Sequence, residues 1–468
     1  MTVLPRLFVS AAHKSSGKTT LSIGLAAALS ARGLAVQPFK KGPDYIDPMW
    51  LARAAGRACF NLDPYLMDGA AIEATFAREA AGAGLALIEG NKGLHDGVAL
   101  DGSNSNAALA RALAAPVLLV VDCRGMTRGV APLLLGFQAF DRSVRIGGVV
   151  FNHVGGERHE GKLRAAVEHY TDIPVLGALA HDERLALPER HLGLTPDREL
   201  DAAAQRVAQI ARRVAAGVDL DRVVALAASA PAWTAPVPTH AASAPDGLRI
   251  GIARDRAFGF YYPDDLAALE ATGARLVPFD ALRDAVLPPV DALFIGGGFP
   301  EACIAELEAN VALRRALRAA IADGLPVYAE CGGLMYLARS IRWGARRGEM
   351  VGAIPADAVM HARPVGRGYV QLEVGSGHPW LDVGTVLRGH EFHHSSLEHM
   401  APGTAFAYGV RRGHGVDGTV DGVRIGNLLA SYAHLRTGAG SDWAPRFVDF
   451  VRRCHAARSH GHGLALAA

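Results

Sequence analysis

Residues 6–33, RLFVSAAHKSSGKTTLSIGLAAALSARG, join a strand-like run to a helix-like run through a short polar loop. The first run is apolar and typical of a buried strand, while the last has helical periodicity and ends on a glycine, a common helix C-cap. In the loop, Gly17, Lys18 and Thr19 fit the end of the G-x-x-x-x-G-K-[ST] pattern, with Ala12 at the first glycine position. A strand, this loop and a helix, in that order, predict a P-loop domain that binds a nucleotide.

The P-loop predicts where the phosphates bind. Amides at the helix N-terminus bind phosphate oxygens, the lysine reaches the β- and γ-phosphates, and the hydroxyl binds magnesium. We therefore expect Gly17, Lys18, Thr19 and Thr20 to bind ATP. Asn152 ends the strand-like run VVFNHV, and its amide, which both donates and accepts, is suited to a purine edge.

Two acidic residues follow other strand candidates of the first half. Asp44 lies in KKGPDYIDP, and Glu89 ends the run LALIE. Together with the Thr19 hydroxyl they offer the hard oxygen ligands that Mg²⁺ prefers, so we expect these three residues to hold the metal. Either carboxylate can equally cap a helix, and the residues alone leave that alternative open.

The rest of the chain continues the alternation of short apolar runs and helical segments, which predicts parallel sheets covered on both faces. Near residue 228 a stretch rich in Ala, Pro, Ser and Thr without periodicity interrupts this alternation. We predict a P-loop domain over residues 1–228, a linker over 229–247, a second α/β domain over 248–456 and a flexible tail over 457–468.

A cysteine in the second half has the surroundings of a nucleophile. The segment PVYAECGGLMYLA places Cys331 on a turn between an apolar strand and a helix that starts with glycines, where a thiolate is exposed and stabilised. Gly297 and Gly298, in LFIGGGFPE, can join Gly332 in forming an oxyanion hole. His434, downstream in SYAHL, is a candidate general base. A lone cysteine is usually inert in a core, but this combination favours chemistry.

Composition excludes several classes of function. The net charge is +2, so the chain lacks the strong positive field of a nucleic-acid or membrane-binding protein. Its five cysteines are widely spaced and include no C-x-x-C pair, which fits a reducing compartment. No signal peptide and no apolar run long enough for a membrane span is evident, so we expect a cytoplasmic protein.

The segment RGHEFHHSS, residues 388–396, matches the H-E-x-x-H pattern of zinc peptidases. That pattern needs a helix, on which His390 and His394 would face one metal ion. The neighbouring residues favour an extended segment instead, in which these histidines would lie about 13 Å apart, too far to share one zinc. We therefore expect no zinc site here.

Motifs along the whole chain resemble those of the cobyrinic acid a,c-diamide synthases of the corrin pathway. They are SSGKTT, VQPFKKGPDYIDP, NLDPYLM, EGNKGLHDG, GGGFPE, YAECGGLMYL, RGHEFHHS and SYAHL. The motif KGPDYIDP is the most specific, because general P-loop and amidotransferase proteins lack it. The resemblance implies a P-loop NTPase domain like that of dethiobiotin synthetase, followed by a class I (triad) glutamine amidotransferase domain with a flavodoxin-like fold.

The resemblance also implies the reaction. The enzyme would activate the a- and c-acetate carboxylates of cobyrinic acid with ATP, as acyl phosphates, and amidate them with ammonia released from glutamine at Cys331. Lys40, Asp44, Tyr45 and Asp96 match motifs linked to substrate and activation. The implied partners are a corrin macrocycle, ATP, glutamine and Mg²⁺, and a homodimer is compatible with them.

Two points stay open in the sequence. Related amidotransferases carry an acidic residue two positions after the histidine, whereas this chain has Arg436, so the third triad member is unassigned. Hydrogenobyrinic acid or nickel-sirohydrochlorin are alternative substrates. An alternative of a different class is a P-loop ATPase switch with a degenerate amidotransferase domain as scaffold, which the intact Cys331 and His434 disfavour.

Overall fold

A computed structural model describes residues 4–182, 187, 189–190, 193–197, 202–233, 247–438 and 441–465. The chain divides into two compact units, Met1–Pro238 and Thr239–Ala468. The linker predicted over 229–247 falls where the units meet in sequence, and its residues 234–246 lie outside the described residues.

The first unit is built from nine strands and eight helices among its described residues. The strands are β1 Arg6–Ala11, β2 Val36–Lys41, β3 Phe60–Leu62, β4 Leu85–Glu89, β5 Val117–Asp122, β6 Ile146–Val154, β7 Val175–Ala180, β8 Glu189–Arg190 and β9 Gly193–Leu194. The helices are α1 Lys18–Ala31, α2 Ile46–Ala55, α3 Gly69–Glu79, α4 Asn106–Ala112, α5 Val130–Phe140, α6 Glu157–Tyr170, α7 Ala203–Gly217 and α8 Leu220–Ala228.

Seven of these strands form one parallel sheet in the order β3-β2-β4-β1-β5-β6-β7. Strands β1, β2, β4 and β5 are buried along their whole length, which explains their near-continuous apolar composition. Because β2, β4 and β1 are neighbours, the loops that follow them meet at one edge of the sheet. These loops carry the P-loop and both predicted acidic residues.

The second unit contains fifteen strands and five α-helices among its described residues. The strands are β10 Arg249–Ala253, β11 Phe258–Phe260, β12 Arg275–Phe279, β13 Ala292–Ile295, β14 Gly297–Gly298, β15 Val327–Glu330, β16 Ser340–Trp343, β17 Arg346–Glu349, β18 Asp357–Met360, β19 Gly366–Val374, β20 Val386–His393, β21 Ser395–Glu398, β22 Ala405–Arg412, β23 Val420–Ile425 and β24 Leu428–Ser431. The helices are α9 Pro263–Ala271, α10 Ile304–Ala309, α11 Val311–Ala322, α12 Gly332–Leu337 and α13 Trp443–Ala465.

A nine-stranded sheet of order β12-β10-β13-β15-β24-β23-β22-β19-β20 forms the centre of this unit. The strands from β12 to β24 in this order are parallel, and the remaining pairs are antiparallel. Strands β15 and β24 are adjacent, with Glu330 opposite Ser431. The residues that follow the two strands, Cys331 and His434 among them, therefore lie near each other.

Aromatic residues anchor helix α13 to the sheet. The rings of Trp443 and Phe447 are fully buried and pack against Tyr328, with Trp380 also in contact with Phe447. The helix reaches Ala465, so its backbone is helical through most of the predicted tail. Among the described residues, none of the helices is both long enough and apolar enough to span a bilayer.

Candidate active site

The P-loop, residues 12–17, turns sharply into helix α1. Gly17 has a φ of +92°, a left-handed conformation that glycine adopts readily. A Cβ at this position would lie 2.0 Å from Nδ2 of Asn152. That same Nδ2 donates a hydrogen bond to the carbonyl oxygen of Ser16 at 3.0 Å. Asn152 thus holds the loop and, with Gly17 and Thr20, lines a cavity beside it; the recognition of a purine edge stays a prediction.

Oxygen-bearing side chains and one lysine converge at the start of helix α1. The hydroxyl of Thr19 donates to Oε1 of Glu89 at 2.7 Å and to Oδ2 of Asp47 at 3.3 Å. The ammonium group of Lys40 donates to the same two oxygens, at 2.7 and 2.6 Å. Burial lowers the pKa of Lys40, but the nearby carboxylates outweigh this effect and raise its pKa above the ordinary value.

The buried charges of this cluster shift one another's pKa values. Burial, together with the positive charge of Lys40, lowers the pKa of Lys18 to about 8. Burial raises the pKa of Glu89, although Lys40 opposes the change. These opposing shifts show a group of charges taken out of water and balanced mainly by one another. An anionic phosphate and a cation would find partners of both signs here.

Asp44, a predicted metal ligand, makes different contacts from Asp47. Its Oδ1 accepts from the backbone amides of Ile46 and Asp47, at 2.9 and 3.1 Å, so it caps the start of helix α2. Burial and the neighbouring carboxylate of Asp47 raise the pKa of Asp44 to about 7. Asp47 was missed in the sequence, although it lies in the same motif three residues later. Tyr45, between them, is buried.

The donor set at this site fits a magnesium ion. Thr19, Asp47 and Glu89 supply hard oxygens, and Oε2 of Glu89 is buried without a hydrogen-bond partner. Mg²⁺ usually takes only one or two carboxylates and completes its shell with phosphate and water. Within the described part of the chain, no group of three or more His, Cys, Asp or Glu side chains is arranged to hold a metal ion.

The EGNKGLHDG loop after β4 lies against the P-loop. The amide of Leu94 donates to the carbonyl of Ala11 at 2.8 Å. The carboxylate of Asp96 accepts from the amide of Gly93 at 2.9 Å and so shapes the loop from within. A Cβ at Gly93 would lie 2.8 Å from the carbonyl of Ala12, which explains the glycine at this close approach.

Cys331 occupies a strained turn after strand β15. Its φ is 48° and its ψ is −100°, outside the regions that non-glycine residues normally occupy. A Cβ at Gly332 would lie 2.9 Å from the backbone nitrogen of Gly298. A Cβ at Gly297 would lie 2.6 Å from Cε1 of His434. Gly297 therefore lies against the His434 ring, and Gly298 lies against Gly332, the residue that follows the cysteine.

The histidine reaches both the cysteine and an acidic residue. Nδ1 of His434 donates to Oε2 of Glu330 at 3.2 Å, and the ring also hydrogen-bonds with Cys331. Oε1 of Glu330 accepts from the hydroxyl of Tyr328 at 2.7 Å and from the amide of Leu435 at 2.9 Å. Burial would lower the pKa of His434, but its bonds with Cys331 and Glu330 raise it to about 10. This is the contact pattern of a Cys-His-Glu triad.

Sequence reasoning missed Glu330 because it looked for an acidic residue after the histidine. The position two residues after it, Arg436, instead forms an ion pair with Asp264 and lies over the ring of Tyr262, 5.3 Å from the ring centroid. The signal for Glu330 was its place immediately before the nucleophile at the end of a buried strand.

The HEFHH segment is extended, as predicted. His390 lies on strand β20, and His394 directly follows the strand, so the two do not share a helical face. Glu391 accepts from the amides of His414 and Gly415, at 2.7 and 2.8 Å. These contacts are those of a structural strand and not of a helical zinc site.

Two family models match the chain, one in each unit. Residues 8–194 match a "CobQ/CobB/MinD/ParA nucleotide binding domain". Residues 249–441 match a "CobB/CobQ-like glutamine amidotransferase domain". Both the P-loop and the Cys331 turn fall inside the matched regions.

Three of the curated relatives that match the chain over nearly its whole length are each named cobyrinate a,c-diamide synthase. The relative from Magnetococcus marinus is 48% identical and aligns over 96% of this chain and 97% of its own. The chain belongs to the cobyrinate a,c-diamide synthase family. The relative from Methanosarcina acetivorans is 41% identical over 97% of both chains, and that from Listeria monocytogenes serotype 4b is 40% identical over 92% and 96%.

Family membership confirms the resemblance and the fold class predicted from the sequence. A nucleotide-binding domain joined to a glutamine amidotransferase domain defines the class of enzyme: an ATP-dependent carbon–nitrogen ligase that takes its nitrogen from glutamine. The alternative of a binding switch with a degenerate second domain is disfavoured by this membership and by the Cys331–His434 contact.

Proposed function

We propose that this chain amidates the a- and c-acetate carboxylates of cobyrinic acid, with ATP and glutamine as co-substrates. The observation that carries the proposal is the hydrogen-bonded group of Cys331, His434 and Glu330, which fits glutamine hydrolysis. The relatives' printed name supplies the macrocycle, and hydrogenobyrinic acid and nickel-sirohydrochlorin are the alternatives. A homodimer stays a prediction.

In the second unit, the thiolate of Cys331 would attack the side-chain carbonyl carbon of glutamine. A C–S bond forms, His434 gives a proton to the leaving nitrogen, the C–N bond breaks and ammonia departs. Water then hydrolyses the thioester and releases glutamate. The backbone amides around Gly297, Gly298 and Gly332 would stabilise the oxyanion, while Glu330 keeps the His434 ring oriented and stabilises its charged form.

In the first unit, the P-loop and Lys18 would bind the phosphates of ATP, while Lys40 neutralises charge beside them. Transfer of the γ-phosphoryl group to a substrate carboxylate forms an acyl phosphate, and ammonia displaces the phosphate to give the amide. Thr19, Asp47 and Glu89 would hold Mg²⁺, which neutralises the charge on the phosphates when it is bound.

Amidation can be followed by mass spectrometry of the macrocycle after incubation with glutamine and Mg-ATP. We expect two replacements of OH by NH₂ on cobyrinic acid, and none when ATP is omitted. The variant Cys331→Ala should lose the glutamine-driven reaction but keep the reaction driven by ammonium at high pH, because only ammonia release needs the thiol. If the wild type leaves both cobyrinic and hydrogenobyrinic acid unchanged, or if Cys331→Ala uses glutamine as well as the wild type, the proposal is wrong.

A further inference from the structure

The first histidine of the HEFHH segment has no part in the chemistry described so far, yet it touches the active site. The rings of His390 and His434 are stacked, with centroids 4.8 Å apart and planes inclined by 17°. Both residues are almost fully buried. His390 lies on β20, an edge strand of the nine-stranded sheet, so the stack places this strand next to His434, the proposed general base.

The backbone fixes this stack. The amide of His390 donates to the carbonyl of His434 at 3.1 Å, and the amide of His434 donates to the carbonyl of His390 at 2.8 Å. Residues that exchange both bonds stand directly opposite each other in an antiparallel pair, so their side chains leave on the same face. A Cβ at Gly389 would lie 2.6 Å from the carbonyl oxygen of His434, so this approach needs the glycine of the motif.

A further residue holds the outer edge of His390. The hydroxyl of Tyr262 lies 3.3 Å from Nδ1 of His390, and the two rings meet edge to face. The guanidinium group of Arg436, paired with Asp264, lies over the ring of Tyr262. Arg436, at the position that is acidic in related amidotransferases, therefore packs on Tyr262, which in turn contacts His390.

Glu330 alone does not fix the orientation of His434. A hydrogen bond to Nδ1 holds one edge of the ring but permits tilting about that edge, whereas a flat ring against its face prevents tilting. We propose that His390 is a positioning residue that stacks on His434 and holds its ring in the plane where it meets Cys331. The proposal rests on the proposed amidotransferase function, which it deepens.

The charge of His390 is compatible with this role. A protonated ring at 4.8 Å from the imidazolium that forms during catalysis would repel it. Burial and the charge of His434 lower the pKa of His390 well below its ordinary value, so the ring stays neutral. A neutral aromatic face next to a cation is attractive. The titratable and charged groups near the stacked pair include Glu330 and Cys331 on the side of His434, and Tyr262 on the side of His390, with Arg436, Asp264 and Asp265 beyond it.

Glutamine hydrolysis by His390→Ala and His390→Phe tests the proposal in the full-length chain. We expect His390→Ala to lower kcat roughly 10- to 100-fold, the effect of a misplaced catalytic group, with little change in KM for glutamine. His390→Phe should recover most of the rate, because a phenyl ring can stack but cannot bond to Tyr262. In the alanine variant the alkaline limb of the pH profile should move to lower pH, because a His434 ring that is free to tilt loses part of the bonds with Cys331 and Glu330 that raise its pKa.

A second, half-buried histidine offers a matched control. His378 also contacts a tyrosine hydroxyl, that of Tyr408, at 3.0 Å, and lies outside the group around Cys331. We expect His378→Ala to keep the kcat and the pH profile of the wild type even if it unfolds more easily. Wild-type kcat in His390→Ala, or equal losses in His390→Ala and His390→Phe, would overturn the positioning role while the proposed function stands. That function fails separately, if the wild type hydrolyses no glutamine or Cys331→Ala is fully active.

Discussion

Glu330 lies directly before Cys331, the proposed nucleophile, in the sequence and behind His434, the proposed base, in the fold. One of its oxygens binds the ring of His434, while the other is held by Tyr328 and the amide of Leu435. A carboxylate fixed in this way can orient an imidazole without moving itself. Because Glu330 contacts the His434 ring, the residue two positions after the histidine need not be acidic. That residue is Arg436, which packs on the ring of Tyr262.

Replacement of Glu330 by glutamine tests this assignment. We expect Glu330→Gln to slow glutamine hydrolysis roughly 100-fold or more, because the amide lacks the negative charge that stabilises the His434 imidazolium. Steady-state kinetics with glutamine measure the effect. Glu373→Gln is the matched control, since Glu373 is a partly exposed strand residue whose partner is Arg411, and it should stay near the wild-type rate. A Glu330→Gln variant with wild-type kcat would rule out Glu330 as the third member.

At the scale of elements, the loops after parallel strands set the nucleotide site. Strands β1, β2 and β4 are adjacent, and each ends at the same edge of the sheet. The P-loop follows the first, Lys40 and Asp47 lie at and after the end of the second, and Glu89 ends the third. The order of the strands therefore brings these residues together. A substitution in the turn between β1 and α1 should directly change the geometry of the nucleotide site.

Substitutions of two glycines at the ends of helix α1 can distinguish the effect of backbone strain from the effect of steric crowding. Gly17 and Gly33 both have positive φ values, +92° and +84°, but a Cβ at Gly17 meets Asn152 whereas one at Gly33 meets nothing within 4 Å. We expect Gly17→Ala to weaken Mg-ATP binding about tenfold or more, as a displaced Asn152 distorts the loop. Gly33→Ala should cost about 1 kcal/mol of stability and leave ATP affinity unchanged. Titration calorimetry measures the affinity of each variant for Mg-ATP. Equal affinities in the two variants would contradict this prediction.

The segment between β19 and β20 contains a pH-sensitive contact. Nδ1 of His378 accepts from the amides of Trp380 and Leu381, at 3.2 and 3.0 Å, which requires an unprotonated nitrogen. Burial, with the charge of Arg424, lowers the pKa of His378 to about 4. Between about pH 6.5 and 4 the unfolded chain therefore binds the proton that the folded chain does not, so acid favours unfolding.

The expected consequence is a stability that is complete above about pH 6.5 and decreases as the pH falls toward 4. From pH 7.5 to pH 5, the wild type should lose about 1 to 2 kcal/mol that His378→Asn does not lose, because asparagine can accept the same bonds without titrating. Urea unfolding followed by tryptophan fluorescence at the two pH values measures the difference. An identical acid dependence in both proteins would show that His378 does not contribute.

At the scale of the whole molecule, each unit encloses its own sheet and its own reactive residues. The seven-stranded sheet is wholly parallel, whereas the nine-stranded sheet adds antiparallel strands to a parallel half. In both, the reactive residues follow the carboxyl ends of adjacent parallel strands, the general location of sites in α/β proteins. The proposed reaction divides in the same way as the chain, with phosphoryl transfer in the first unit and ammonia release in the second.

Local patterns in the sequence predicted most of the architecture. The strand-loop-helix pattern of residues 6–33, the apolar runs and the Cys331 turn depend on neighbouring residues, and the structure contains each of them. Thr19 and Glu89 lie within hydrogen-bond distance of each other, whereas Asp44 caps helix α2. Asp47 was missed because only its position on the first turn of α2, opposite Thr19, brings its carboxylate to the cluster.

The sequence by itself determined the family and the two kinds of domain, and it supplied the proposed nucleophile and base, because these are encoded in short contiguous motifs. Only the tertiary structure decided which acidic residue stands behind His434, which carboxylates meet at Thr19, and that His390 of HEFHH stacks on His434. Those relations join residues far apart in the chain, and they depend on which strands are neighbours: β15 beside β24, β2 beside β4, and β20 bridged to the segment that carries His434. Strand order is a property of the packed sheet, so no local pattern could reveal it.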